Sequence, residues 1–406
     1  MQTKKPPRQS NFELLRILVM LMIIANHLIV HAGSRPETSV YIPWFAMEWW
    51  SRFVTDLLQY GGKVGVDCFI LISGYFLAKP APADKRILPK DTLTRVGKVY
   101  GQVVFYCTFF LVASLLLKGV FRPGAIADAN YANVWFVLTP FTSEAYWFTT
   151  AYIILMLIAP FLNKLIAVLS QKEYAFLLAV LLVVFSVIPS LKSPMYDVPM
   201  FLWFAVLYLL AGYLRAFPPR WFGSRWPALA LAVLSYPCIW LYMRHWGGAS
   251  PAGHGVAESL ADTVNGWLGF SGNMERAELL NHSMAAENKV VTIFCALCLF
   301  TFFRNLKLKP NRLINAVAGT TFGVYLFHNN PFVRPFLWKY LFPYYPYYSQ
   351  PLKLLCWGIG VTCLVFCMGM VFEFFRQYAL ARPMGVLLGR LHGRKESKEA
   401  SAVTKC

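Results

Sequence analysis

The sequence predicts an all-α polytopic membrane protein of about ten transmembrane helices with both termini in the cytoplasm. Three observations carry this. Of 406 residues, 57% are hydrophobic and 14% charged, with mean hydropathy +0.49, too apolar for a soluble domain of this size and the reverse of a disordered chain. About ten apolar stretches approach the roughly 20 residues that a helix needs to cross a bilayer. The polar connections on the N-terminal side hold 26 of the 38 Lys and Arg residues, the bias that marks cytoplasmic loops.

The elements follow in order. Residues 1–10 form a basic tail. The run that follows has the flank of a signal peptide, but it is long, contains Asn26 and His27 and lacks a small-residue cleavage site, so it reads as an uncleaved first span from Leu14 to Ala32. The other spans fall near 57–78, 99–118, 145–163, 174–190, 199–215, 226–243, 289–303, 313–333 and 352–375. The longest connection, 244–288, is Gly-rich and net acidic and lies outside. Residues 376–406 form a basic cytoplasmic tail, polar from Arg390 to Lys405. No internal repeat is evident, which argues mildly against a repeat-built transporter.

A net charge of +19 in a soluble chain would suggest nucleic acid. Here the cations sit between apolar spans, so nucleic acid is not an expected partner. The nine cysteines are Cys68, Cys107, Cys238, Cys295, Cys298, Cys356, Cys363, Cys367 and Cys406. All but the last lie in or beside apolar spans, and neither a disulfide framework nor a zinc site is suggested: Cys295 and Cys298 have C-x-x-C spacing but sit in VVTIFCALCLF, where they read as small apolar residues on one helix face. His245, His254 and His282 also lack metal-ligand spacing, and no metal site is expected.

Ionisable groups inside apolar spans are costly and mark candidate sites. Arg16 and His27 are eleven residues apart, close to three helical turns, so they share one face together with His31. His27 then sits near the membrane midplane, about 16 Å from Arg16, while Arg16 reaches the cytoplasmic interface. Read blandly, Arg16 is a topology-setting arginine and His27 a helix-bonding imidazole. Asp67 lies near mid-membrane in the second span, and Ser73–Gly74 follows where close backbone approach is allowed. A buried carboxylate needs a partner, so Asp67 is expected to pair with His27 or with a cation such as Arg16. The basic connection KPAPADKRILPKDTLTRVGKVYG places Arg95 and Lys98 at i, i+3 on one helix face, suited to phosphate as well as to topology. Glu144 and Trp147 at the start of the fourth span can hold a sugar or belong to an interfacial aromatic belt. His328, Asn329 and Asn330 end the ninth span and serve either an acceptor site or helix-end capping. Glu373 and Arg376 read as an i, i+3 pair of little worth as a site.

The Arg-x10-His pair, the segment GVDCFILISGYF, the basic start of the third span, AYWFTTAYIILMLIAPFLNKL and GTTFGVYLFHNNP occur in order along the chain. Together they resemble the acyltransferase 3 family over about residues 11–375. The resemblance implies a bacterial cytoplasmic-membrane enzyme that O-acylates surface sugars. It implies catalysis by Arg16 and His27, with Asp67 in the Gly65–Phe76 motif beside them. Cys68 and Ile70 depart from that motif, and the family's arginine-rich cluster is diluted to Arg95 and Lys98. Many relatives carry an appended extracytoplasmic domain. The tail here is short, so the chain is expected to act alone or with a separate extracytoplasmic transferase.

The chemistry agrees with that implication. Acyl-CoA, most often acetyl-CoA in relatives, is a co-substrate and not a resident cofactor. Its phosphates stay at the cytoplasmic mouth on Arg16, Arg95 and Lys98, with Ser73 and Gly74 along the pantetheine arm. The thioester is left near His27, which acts as general base on a glycan hydroxyl or accepts the acyl group itself. The acceptor, a cell-surface or lipid-linked glycan, would meet Glu144, Trp147, His328 and Asn329. A transporter or flippase of a lipid-linked saccharide is the alternative: it would line a continuous path with the same polar groups and need no acyl donor.

Overall fold

A computed structural model describes residues 8–32, 47, 49–82, 86–117, 146–191, 198–235 and 286–381. Every regular element among them is helical. Helix α1 (Ser10–His31) is the hub of the bundle. It packs against α2 (Trp49–Leu77), α8 (Val290–Arg304), α9 (Arg312–Ala318), α10 (Thr321–His328) and α11 (Pro351–Phe375). Around them stand α3 (Pro89–Leu117), α4 (Trp147–Val168), α5 (Gln171–Leu182), α6 (Met200–Ala216) and α7 (Arg225–Ser235).

Five helices among the described residues are long and apolar enough to cross a membrane: those starting at Ser10, Lys90, Trp147, Gln171 and Pro351. Three more apolar helices are shorter: Met200–Ala216, Arg225–Ser235 and Val290–Arg304. The ten expected spans are therefore matched only in part. Hydropathy also sees only the apolar end of two longer helices. Helix α3 begins at Pro89, not near 99, because proline is pre-organised for the first helical turn and Asp91 complements the unpaired amides there. Helix α2 begins at Trp49, carrying the polar stretch around Asp56 and Gln59 in helical register.

The expected ninth span is broken. Helices α9 and α10 are separated by Gly319–Thr320. Asn311 caps α9, its side chain accepting from Leu313 and Ile314 N–H at 2.9 and 3.1 Å. Ser10 Oγ donates to Asn315 Oδ1 at 2.9 Å and accepts from Asn311 N–H at 2.7 Å, tying α9 to the start of α1. Helix α5 shows the effect of a proline. A π turn over Val183–Val187 precedes Pro189, whose missing N–H leaves the carbonyl four residues back without its helical partner. The freed carbonyl of Phe185 accepts from Asn288 Nδ2 at 3.0 Å.

Two glycines of the GVDCFILISGYF segment allow helices to touch. A Cβ on Gly65 would lie 2.9 Å from the Val19 carbonyl oxygen of α1, and one on Gly74 would lie 2.9 Å from Tyr208 Cα of α6. Glu373, 1% exposed, fastens α11 to α3. It accepts from Tyr106 OH at 2.8 Å, Gln102 Nε2 at 3.2 Å and Gln377 Nε2 at 2.8 Å. Arg376 closes a bidentate pair with it at 2.7 and 2.8 Å. Its carboxyl fills the space beside Gly323 of α10, so the pair read as minor in the sequence organises three helices.

Candidate active site

The face of α1 predicted from the eleven-residue spacing borders a cavity of about 270 Å³. Arg16, Met20, Ile23 and His27, at i, i+4, i+7 and i+11, line it from α1. Helix α2 contributes Val66, Phe69 and Ser73, and α4 contributes Trp147, Phe148 and Tyr152. The broken span supplies Ala318, Gly319, Thr321, Phe322 and Tyr325, and Arg8 stands at the end nearest the N-terminus. The break matters here. It brings the start of α10 to the cavity and carries Tyr325 and His328 toward its far end.

The centre is a pair of histidines. His27 Nδ1 lies 2.8 Å from His328 Nε2, and His328 Nδ1 lies 2.6 Å from the Val324 carbonyl oxygen. A carbonyl only accepts, so His328 Nδ1 carries the proton and donates it there. A neutral His328 then offers Nε2 as a lone pair, and the 2.8 Å contact requires His27 Nδ1–H to donate. Nε2 of a neutral His27 is left with its own lone pair. His328 is fully buried, with Trp338 and Tyr325 edge-on to its ring at 6.4 and 6.1 Å between centroids. His27 is only partly covered because it borders the cavity. His27 Nε2 can accept a proton or attack as a nucleophile while His328 fixes the tautomer.

The predicted residues fall in different places. Arg16 lines the cavity and pairs with Glu13 at 3.0 Å, its side chain 30% exposed. Ser73 lines it too, donating to the Phe69 carbonyl at 2.9 Å and lying 3.4 Å from Tyr152 OH. Trp147 is on the wall. Gly74 is turned away against α6. Arg95 and Lys98 are exposed on α3 and do not line the cavity. Asn329 is buried beside the dyad, its Nδ2 3.5 Å from Tyr325 OH. Glu144 lies outside the described residues.

The pairing expected for Asp67 is corrected. Asp67 Oδ1 accepts from Trp203 Nε1 of α6 at 3.0 Å, while His27 bonds His328 and Arg16 bonds Glu13. The reason is register: Val66, Phe69 and Ser73 take the cavity face of α2, and position 67 projects to α6. Asp67 is fully buried and its Oδ2 has no partner among the described residues.

Sequence reasoning missed Arg8, Tyr152 and Tyr325 as lining groups. Tyr325 was legible as the residue three before His328 on one helix face, and Tyr152 as one turn beyond Phe148. Arg8 carried no signal beyond a basic tail. The partnership of His27 with His328 was hidden because 301 positions separate them.

The family model described as an acyltransferase domain matches residues 9–374, as the ordered motifs imply. No curated protein and no solved structure matches the chain. The match runs from before Arg16 to beyond Glu373, nearly the whole chain, and takes in every helix that borders the cavity. The chain belongs to the acyltransferase 3 family, and through that membership it is a membrane acyltransferase.

Proposed function

We propose that this protein is an O-acyltransferase of the bacterial cytoplasmic membrane. It moves an acetyl group from cytoplasmic acetyl-CoA to a hydroxyl of an extracytoplasmic or lipid-linked glycan. The observation that carries the reading is one cavity bordered by Arg16 toward one end and by a His27 with a free Nε2 toward the other. The two lie about 16 Å apart along α1, so a charged head and a reactive thioester of one extended donor can occupy both.

Arg8 and Arg16 hold the donor's phosphates at the cytoplasmic mouth, and the exposed Arg95 and Lys98 add attraction for an anion approaching that end. Ser73 and Tyr152 face the arm. At the far end His27 Nε2 removes the proton from the glycan hydroxyl as its oxygen attacks the thioester carbon. The carbon–sulfur bond breaks, the ester forms, and the imidazolium returns its proton to the departing thiolate. His328 accepts the hydrogen bond from His27 Nδ1–H throughout and steadies the positive charge that forms. Transfer of the acyl group first to Nε2 uses the same atom and the same geometry. Asp67 supports this site indirectly, holding α6 to α2 through Trp203.

The test is the O-acyl content of surface polysaccharide in cells expressing wild-type protein or His27→Ala at membrane levels matched by blot. Loss of ester with normal glycan export is expected. Unchanged ester, or loss of export instead, would favour a lipid-linked saccharide transporter using the same cavity.

A further inference from the structure

Beyond the histidine pair, on the side away from Arg16, a cation has no counter-charge among the described residues. The chain leaves α10 at His328 and turns back through a tightly held segment. Asn330 Nδ2 donates to Tyr146 OH at 3.0 Å, its Oδ1 accepts from Phe332 N–H at 3.0 Å, and its carbonyl accepts from Arg334 N–H at 2.7 Å. Tyr344 N–H bonds the Ala32 carbonyl at 3.2 Å, fastening the same segment to the far end of α1. Arg334 is thus held close to the dyad. Its side chain is half-buried, six positions beyond His328 and one turn beyond Asn330.

The ion pairs among the described residues are Arg16–Glu13, Lys63–Glu287 and Arg376–Glu373, and none includes Arg334. Its side chain donates no hydrogen bond to a described residue. The nearby cation Lys63 is already neutralised by Glu287 at 3.0 Å. Partly desolvating a guanidinium that cannot lose its proton is costly unless an oxyanion completes it, and its planar fork suits carboxylate or phosphate. The donor does not supply that anion. Its phosphates belong at the opposite end of the cavity, about 16 Å from His27 along α1, and an acetyl group carries no charge.

We infer that Arg334 is a binding residue for an anionic acceptor, a glycan whose carboxylate or lipid-borne phosphate sits on this guanidinium and so brings its hydroxyl to His27. This rests on the acyl-transfer reading and narrows its substrate to oxyanion-bearing glycans. Arg334 holds the acceptor and leaves the proton transfer to the histidines.

The experiment uses full-length protein in nanodiscs with labelled acetyl-CoA and three acceptors: a free uronic-acid oligosaccharide, a polyprenyl-diphosphate-linked neutral oligosaccharide, and the same neutral oligosaccharide unlinked. One charged probe should outperform the neutral one, and which does so identifies the carboxylate or the phosphate as the anion. Arg334→Gln should raise KM for that probe about tenfold or more while leaving acetyl-CoA KM unchanged, because one charge-assisted contact is lost. Arg334→Lys should recover part of it, with melting temperature confirming that both variants fold. No preference for either charged probe, or an equal fall in kcat for neutral and charged probes in Arg334→Gln, overturns the inference while sparing acyl transfer. Failure of wild-type protein to consume acetyl-CoA with all three probes and with a total surface-glycan extract overturns both.

Discussion

One proton, on His328 Nδ1, determines what His27 can do. Because that proton is committed to the Val324 carbonyl, His27 gives its own Nδ1–H to His328 and keeps Nε2 free. Replacing His328 with Ala should therefore lower kcat about 100-fold while acetyl-CoA KM stays within about twofold, since tautomer and orientation are lost but the donor site is not. Steady-state kinetics in nanodiscs checks this, and a raised donor KM with normal kcat would contradict it. The same chemistry fixes the sign of the pH response. Neutral His27 is the working form, so the rate should climb with pH through its titration, and a rate independent of pH there would argue against a general base. At this scale the eleven-residue spacing of Arg16 and His27 was enough to place both on one cavity face. Asp67 was not legible: its bond to Trp203 joins helices whose register no local pattern specifies.

At the scale of the element, close contacts and one buried carboxylate hold the helices that carry the site. A side chain at Gly74 would meet the backbone of Tyr208, which cannot swing aside as a flexible side chain can, so α2 and α6 keep their approach only with glycine there. Glu373→Ala should cost about 3–5 kcal/mol, because Arg376 is left partly buried without its bidentate partner. The readout is melting temperature in detergent, and a value unchanged by Glu373→Ala would show that α3 and α11 are held by packing alone. Hydropathy located the apolar parts of these helices but not their polar beginnings, since Pro89 and Asp91 signal a helix start by capping chemistry and not by apolarity. It also ran the ninth span through Gly319–Thr320, where small and polar residues inside an apolar stretch conceal a break.

At the scale of the whole molecule, the bundle combines a cationic end, marked by Arg8 and Arg16, with a histidine pair deep among its helices. If Arg16 serves the donor's charged head, Arg16→Ala should raise acetyl-CoA KM about tenfold, the loss of one charge-assisted contact, with little change in kcat. An unchanged donor KM would remove Arg16 from that role. Composition was enough for the class of molecule, and ordered motifs for the family. What they could not supply was the meeting of α1 with α10, a tertiary event that depends on the broken ninth span and on the packing of both against α11. The most direct measurement of the central claim is transfer of labelled acetyl from acetyl-CoA to a surface-glycan extract by purified wild-type protein and His27→Ala in nanodiscs, with donor binding measured alongside. The account predicts a rate loss of about 100-fold to 10,000-fold in His27→Ala with acetyl-CoA still bound; transfer at the wild-type rate by that variant would contradict it.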